Sequence, residues 1–273
     1  MSKLGVYVDV ANVQWNGGGR MRYDVLRRFA CRAGDEAQRL NAYASYDEEA
    51  ARLSPKYRDG RRGYFSVLRD LGFKVIEKRV RWYTDEEGNR YGKANADLDM
   101  AVDILLESEN LDKVLLVTGD GDFVQVVRAL QSKGCRVEVL GFSNVSGELR
   151  RTADFFMPGD LVPELLSRRN AEEEPAWGEI GSRVRGVCYH YQHEKHFGFL
   201  RFLGAISPHL WVTDRRKPEC PYRTVFLHGS ALPAAFNTEN LPTRDTIFEF
   251  TLAEPENEGQ DPRAVEVEVI CTL

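Results

Sequence analysis

The chain predicts a doubly wound parallel α/β domain followed by a small all-β barrel. Strand-like and helix-like stretches alternate through the first part of the sequence, which implies helices packed on a parallel sheet. An acidic stretch ending in proline, Asn170-Ala-Glu-Glu-Glu-Pro175, interrupts that pattern. Beyond it helical periodicity is lost and five short strand-like runs follow, the signature of a small barrel.

Residues 4–10 alternate little between apolar and polar and predict a buried parallel strand. The Gly17-Gly-Gly19 loop leads to a helix over Tyr23–Ala33. Leu40–Tyr46 predicts the second strand, Gly63–Leu71 a helix, and Phe73–Glu77 the third strand. Ala94–Ser108 carries apolar residues at 98, 101, 102 and 105, the spacing of an amphipathic helix. A strand over 113–117, a helix over 122–132 stopped by Gly134, and a strand over 135–140 follow, with 161–169 as a closing helix. The domain boundaries are then 1–169 for the α/β part, 170–180 for the linker and 181–273 for the barrel. Barrel strands are predicted at Gly181–Tyr191, Phe197–Leu203, Thr224–Leu227, Thr246–Leu252 and Ala264–Ile270, with a Pro-, Arg- and Lys-rich loop over 207–223.

A length of 273 residues accommodates two domains, and 42% hydrophobic residues suffice for a core in each. No apolar run reaches membrane-spanning length, and Met1-Ser-Lys-Leu-Gly enters a strand directly, so no signal peptide is expected. Five scattered cysteines (31, 135, 188, 220, 271) suit free thiols in a reducing cytoplasm. The net charge of −5 conceals a local imbalance. Residues 1–170 carry 27 Lys/Arg against 26 Asp/Glu, whereas residues 185–230 carry 7 against 3, enough for a basic face in the barrel.

Two apolar strands end in carboxylates: Val6-Tyr-Val-Asp9 and Val114-Leu-Leu-Val-Thr118-Gly-Asp120-Gly-Asp122-Phe123. Strand ends of an open α/β sheet are where such folds place their chemistry. If the two strands are neighbours, at least three negative groups converge, and like charges at short range repel unless a cation neutralises them. Asn12 follows Asp9 by three residues, and Asp97 opens the helix before the second strand. Such a set suits Mg²⁺ or Mn²⁺ and phosphodiester hydrolysis. Taken singly, Asp122 reads equally as a helix N-cap, and Asp99, Asp103 and Glu107 read as a solvated helix face. Competing motifs fail: Gly119-x-Gly121 lacks a third glycine, no Gly-Lys-Ser/Thr loop occurs, and no histidine precedes residue 190.

Val8-Asp9-x-x-Asn12, Lys93 leading to Asp97 and Asp103, Thr118-Gly-Asp-Gly-Asp-Phe123, and Ser146-x-x-Leu149-x-x-x-Ala153-Asp154-Phe155 together resemble the NYN domain, the LabA-like branch of the PIN-type ribonuclease superfamily. The resemblance covers residues 1–168. It implies a Rossmann-like, PIN-like sheet and a Mg²⁺- or Mn²⁺-dependent ribonuclease site. Asp9, Asn12, Asp97, Asp120 and Asp122 fall on the family's acidic pocket, with Asp9, Asp97, Asp120 and Asp122 as metal-binding residues and Asn12 orienting substrate or water. Asp103 and Asp154 also match. Arg20, Arg22, Arg27, Arg28, Arg61, Arg62, Arg79, Arg81 and Lys93 are available for phosphate contacts. Trp82 and Tyr83 read equally as base-stacking and as strand-packing residues.

In the second domain, Phe197 and Phe199 share one strand face with Gly198 opposite, and Phe226 and His228 share a face of another strand. Paired side by side, they make an aromatic platform for unpaired bases. Lys195-His-Phe-Gly-Phe-Leu200 and Val225-Phe-Leu-His-Gly-Ser-Ala-Leu232 resemble the two RNA-binding motifs of a cold-shock domain. That resemblance implies an OB-type five-stranded barrel over 181–270, with Lys195, Phe197, Phe199, Phe226, His228 and His190 contacting RNA. His196 replaces a glycine of the family pattern, and His190 replaces a surface tryptophan. Cys188-x-His190-x-x-His193-x-x-His196 matches no standard zinc spacing. The combined expectation is a cytoplasmic, metal-dependent endoribonuclease acting on single-stranded RNA. A non-catalytic RNA-binding regulator and a nuclease that also takes single-stranded DNA stand as alternatives.

Overall fold

The computed structural model describes residues 1–85, 87–167 and 175–273, and of Lys93 the backbone only. Residues 170–174 of the linker predicted over 170–180 therefore lie outside the described residues. The chain packs as two compact units, one of Met1–Gly19 with Gly34–Met157, the other of Arg20–Ala33 with Pro158–Leu273.

In chain order the α/β region contains β1 (Lys3–Asp9), α1 (Val10–Trp15), α2 (Tyr23–Ala30), β2 (Glu36–Tyr46), α3 (Glu48–Leu53), α4 (Pro55–Asp70), β3 (Lys74–Arg79), β4 (Arg81–Thr84), β5 (Arg90–Lys93), α5 (Ala96–Glu107), β6 (Lys113–Val117), α6 (Val124–Ser132), β7 (Arg136–Gly141), α7 (Gly147–Thr152) and β8 (Phe155–Pro158). Six of the strands form one sheet in the order β3-β2-β1-β6-β7-β8. Numbered within the sheet alone, that order is 3-2-1-4-5-6, which reverses between β1 and β6. Doubly wound sheets bind ligands outside the strand C-termini at such a reversal. Strand β1 pairs in parallel with both β2 and β6, with Val8 opposite Val117, so Asp9 lies beside Thr118.

Every residue of β6 and all but the first of β1 are buried, as both-face coverage requires. One core cluster joins Tyr7, Tyr43, Met100, Leu116, Phe123 and Val127, locking α5 and α6 to the sheet. Helix α4 starts earlier than its hydrophobic spacing predicts because Ser54 caps it, Oγ accepting from Tyr57 N at 3.3 Å, with Pro55 in the first turn. The closing helix predicted at 161–169 does not form over its described part. A single 3₁₀ turn at Gly159–Leu161 is followed by Pro163 and by Glu164 at φ +60°, both incompatible with helix continuation. Residues 168 and 169 lie outside the described residues. Strands β4 and β5 form a separate two-stranded ribbon with no sequence prediction behind it.

The second unit contains a closed five-stranded barrel built from β9 (Arg183–Gln192), β10 (Phe197–Leu203), β11 (Tyr222–His228), β12 (Thr243–Ala253) and β13 (Arg263–Thr272), in the order β10-β11-β13-β12-β9. All five predicted strands are present, each starting or ending within a few residues of its predicted limits. Val184, Cys188, Leu200, Val225, Leu227, Phe248 and Phe250 fill the interior. Among the described residues no helix is long and apolar enough to cross a membrane.

Candidate functional site

Asp9 closes β1 and caps α1: its Oδ1 accepts from Asn12 N at 3.0 Å, and Thr118 Oγ1 donates to its Oδ2 at 3.4 Å. The residue is only 3% exposed, a severe environment for a carboxylate. Burial drives its pKa up to about 6; the Asn12 N–H and Thr118 hydroxyl oppose the rise, and the charges of Asp97 and Asp120 add to it. Asp97, in the first turn of α5, is also raised, first by lost hydration and then by Asp120 and Asp122. The carboxylates at the end of β1, in the turn after β6 and in the first turn of α5 thus lie within electrostatic reach of one another.

The turn that carries Asp120 is held by three contacts. Asn12 Oδ1 accepts from Gly119 N at 2.8 Å, Thr118 Oγ1 accepts from Asp120 N at 3.2 Å, and Gly119 O accepts from Ser146 N at 2.8 Å. Gly121 is required by close approach, since a Cβ there would sit 2.9 Å from Ser146 Oγ. The N-cap role considered for Asp122 belongs to Asp120, whose Oδ1 accepts from Asp122 N at 2.9 Å. A 3₁₀ turn at Gly121–Phe123 precedes α6 and shifts the cap two residues back. Asp122 is exposed, and its carboxylate makes no hydrogen bond or ion pair among the described residues. Asn95, Asp97, Leu98, Ala101, Asp122 and Phe123 line a cleft of about 460 Å³.

Other acidic positions are structural. Asp103 Oδ2 accepts from Tyr43 OH at 2.9 Å, and Glu107 Oε2 accepts from Tyr7 OH at 2.8 Å and Asn41 Nδ2 at 3.1 Å. Asp99 pairs with Lys78. Asp103 and Glu107 do not form the solvated face that the spacing predicts, because the tyrosines of β1 and β2 reach up to them, and Asp99 is instead taken up by Lys78 of β3. Burial holds the hydroxyls of Tyr7 and Tyr43 well above the usual tyrosine range, so both remain donors. Asp154 accepts from Val137 N at 2.6 Å and Gln131 Nε2 at 3.1 Å. Of the cationic candidates, Arg22 pairs with Asp24, Arg28 with Glu164 and Arg79 with Glu48, while Arg61 donates to Ser45 O.

A divalent ion is tested by the donors present. They are oxygens alone, and Asp9 is a buried carboxyl whose charge is opposed by its neighbours, so a hard cation suits them. Among the described residues no three His, Cys, Asp or Glu side chains close into a ready-made cage. Mg²⁺ needs only one or two carboxylates and keeps its waters, so the set fits it.

On the barrel, Phe197, Phe199 and Phe226 form one cluster, with Phe197 and Phe226 stacked at 5.7 Å and Phe199 edge-on to both, 6.1 Å from Phe197 and 5.9 Å from Phe226. Cross-strand register places Phe197 opposite His228 and Phe199 opposite both Phe226 and His190. His190 stacks on Phe199 at 6.1 Å, and His228 and Lys195 are exposed. Gly198 faces inward, where a Cβ would lie 2.4 Å from His190 O. A register shift after Phe199 leaves Tyr189 unpaired and brings its ring 6.5 Å from Phe199, with the Arg201 guanidinium 4.4 Å above Tyr189. Tyr189 has no signal in the sequence, because regular alternation turns it away from His190. Cys188 is buried in the barrel and His190 lies outside, so these two face opposite sides.

The chain belongs to the NYN domain family, which its residues 3–162 match. That makes it a PIN-like, RNA-related protein in its α/β part; the barrel lies beyond the matched residues. It is 30% identical over 179 residues to the low amplitude and bright protein LabA of Synechococcus elongatus, a match spanning 63% of this chain and 91% of the relative. A crystal structure of a protein of unknown function, VPA0982 from Vibrio parahaemolyticus, is 27% identical with a TM-score of 0.46, covering 57% of this chain and 91% of that one.

Proposed function

We propose that the protein is a divalent-metal-dependent endoribonuclease for single-stranded RNA, with a cold-shock-like, OB-type barrel that captures the strand. The observation that carries the first part is the meeting of Asp9, Asp97 and Asp120 at the point where the strand order reverses. A pure binding surface gains nothing from carboxylates that repel phosphates. Asp9 and Asp120 would hold Mg²⁺ or Mn²⁺, with Asp97 and Asp122 holding its waters or a second ion. When bound, the ion supplies Lewis-acid polarisation of the scissile phosphate and neutralises charge developing on it.

The remaining work falls to the chain itself. Thr118 and the Asn12 N–H fix the Asp9 carboxylate in one orientation. Asn12 pins the Gly119 turn through Oδ1, leaving Nδ2 to donate to a phosphate oxygen. The Asp122 carboxylate, with no hydrogen-bond or ion-pair partner among the described residues, is able to accept the proton of an attacking water. On the barrel, Phe197, Phe199, Phe226, His190 and His228 would stack on bases while Lys195 meets phosphate. Five free thiols fit a reducing cytoplasm.

The test is cleavage of single-stranded RNA with Mg²⁺ or Mn²⁺, where Asp9→Asn and Asp120→Asn each abolish turnover. Activity that survives both substitutions removes the site. RNA binding with no cleavage under any divalent ion makes the protein a binding regulator instead, and equal cleavage of single-stranded DNA widens its substrate class.

A further inference from the structure

We propose that the β4–β5 ribbon is an RNA-gripping arm, with Tyr83, Tyr91 and Arg81 on its outer face binding single-stranded RNA beside the acidic cleft. The proposal rests on the RNA reading above and deepens it by naming a contact surface outside both the carboxylates and the barrel.

A two-stranded ribbon alone is marginally stable in water, so its placement needs an anchor. Pairing runs Arg81 to Lys93, Trp82 to Gly92, Tyr83 to Tyr91 and Thr84 to Arg90, which divides the ribbon into two faces. Trp82, Thr84, Arg90 and Gly92 share the inner face. There Arg90 grips Glu49 with two hydrogen bonds of 3.0 and 2.5 Å, Trp82 Nε1 donates to Asp47 Oδ1 at 3.4 Å, and the Arg90 guanidinium lies 4.8 Å over the Trp82 ring. Gly92 permits the close approach, since a Cβ would lie 2.8 Å from Val80 Cγ1. Asp47 is itself fixed as the cap of α3. The ribbon is held before any ligand arrives, which lowers the ordering cost of binding.

The outer face has no such structural use. Tyr83 and Tyr91 stack on each other at 5.8 Å and 27°, yet remain 44% and 50% exposed. Arg81 beside them is exposed and has no carboxylate partner among the described residues. Aromatic faces flanked by an unpaired cation match the demands of single-stranded nucleic acid, whose bases stack and whose phosphates need countercharge. A duplex hides the base faces that such a pair would meet.

Location supplies the remaining support. Strand β3 runs parallel to β2, and β2 to β1, so the ribbon springs from the same sheet edge that carries Asp9. Lys93 closes β5 only four residues before Asp97, a span of at most about 14 Å. Phosphates are repelled by the carboxylates, and a cationic, stacking grip just outside them would hold the strand across the cleft.

The experiment measures binding of the full chain to labelled single-stranded RNA by fluorescence anisotropy in EDTA, where cleavage plays no part, together with photocrosslinking to 4-thiouridine RNA. Tyr83→Ala/Tyr91→Ala is expected to weaken binding about tenfold and to remove a crosslink at the ribbon, while Tyr83→Phe/Tyr91→Phe binds like wild type. Arg81→Ala is expected to lower the salt slope by about one. Unchanged affinity and no ribbon crosslink overturn the proposal, as does an equal loss of affinity for duplex RNA. Because these side chains are exposed, thermal melts of the alanine variant should match wild type. A wild type that binds through the ribbon but never cleaves overturns the nuclease reading and leaves the arm standing.

Discussion

Asp9 shows what the site costs the fold. Its pKa near 6 means that, between about pH 4 and pH 6, the folded metal-free protein binds more protons than the unfolded chain. Stability from this group therefore falls as pH rises through that window, and the full penalty, about 3 kcal/mol at most, is present above pH 6. Asn at position 9 keeps an oxygen for the Asn12 N–H and carries no charge. Asp9→Asn should thus abolish cleavage yet raise the midpoint of urea unfolding in EDTA at pH 7.5, with the gain vanishing by pH 4. A variant less stable than wild type at pH 7.5 would show that the carboxylate stabilises the fold. Asp9, Asn12 and Asp120 were legible in the sequence because each ends an apolar strand or follows one at fixed spacing. The exchange of capping roles between Asp120 and Asp122 was not, since a single 3₁₀ turn decides it and leaves no mark in the hydrophobic pattern.

At the scale of elements, α5 presents the cleft residue Asp97 from one end and is clamped to the sheet along its length by Asp103 and Glu107. Removing the Glu107 carboxylate strands the buried Tyr7 hydroxyl and takes the 3.1 Å partner from Asn41 Nδ2, leaving it Tyr43 OH at 3.4 Å. Glu107→Ala should cost about 1–3 kcal/mol in denaturant unfolding while leaving the metal dependence of cleavage unchanged. Loss of metal response at full stability would assign Glu107 to the chemistry. The polar face of α5 misled the sequence reading because spacing shows which residues share a face but not what the next strand sends toward it. The ribbon escaped for a different reason: Arg81–Thr84 and residues 90–92 are all exposed, so strands this short carry no alternation of buried apolar and exposed polar positions. The barrel strand β9, whose burial alternates along most of its length, was legible for the opposite reason.

Across the whole molecule, the proposed function divides the work between an acidic cleft that cuts and an aromatic platform that captures, and each should leave its own kinetic signature. A capture platform would contact RNA equally before and during reaction, so its binding would be uniform and belong in KM. Phe197→Ala/Phe199→Ala should raise KM for single-stranded RNA about tenfold or more, with kcat at saturation unchanged, because each stacked base contributes about 1–3 kcal/mol. Asp120→Asn acts where charge develops and should collapse kcat while leaving affinity measured in EDTA unchanged or tighter, since one repelling carboxylate is gone. Under the proposed function, tethering would let capture by the barrel raise the local concentration of substrate at the cleft, an effect that depends on the strand being long enough to engage both. The KM penalty of the phenylalanine variant should therefore shrink for RNAs too short to reach both surfaces, measured as a length series at fixed sequence. A penalty independent of length would mean that the platform does not act as a capture surface for the cleft, and the two units would then have to be regarded as separate functions on one chain.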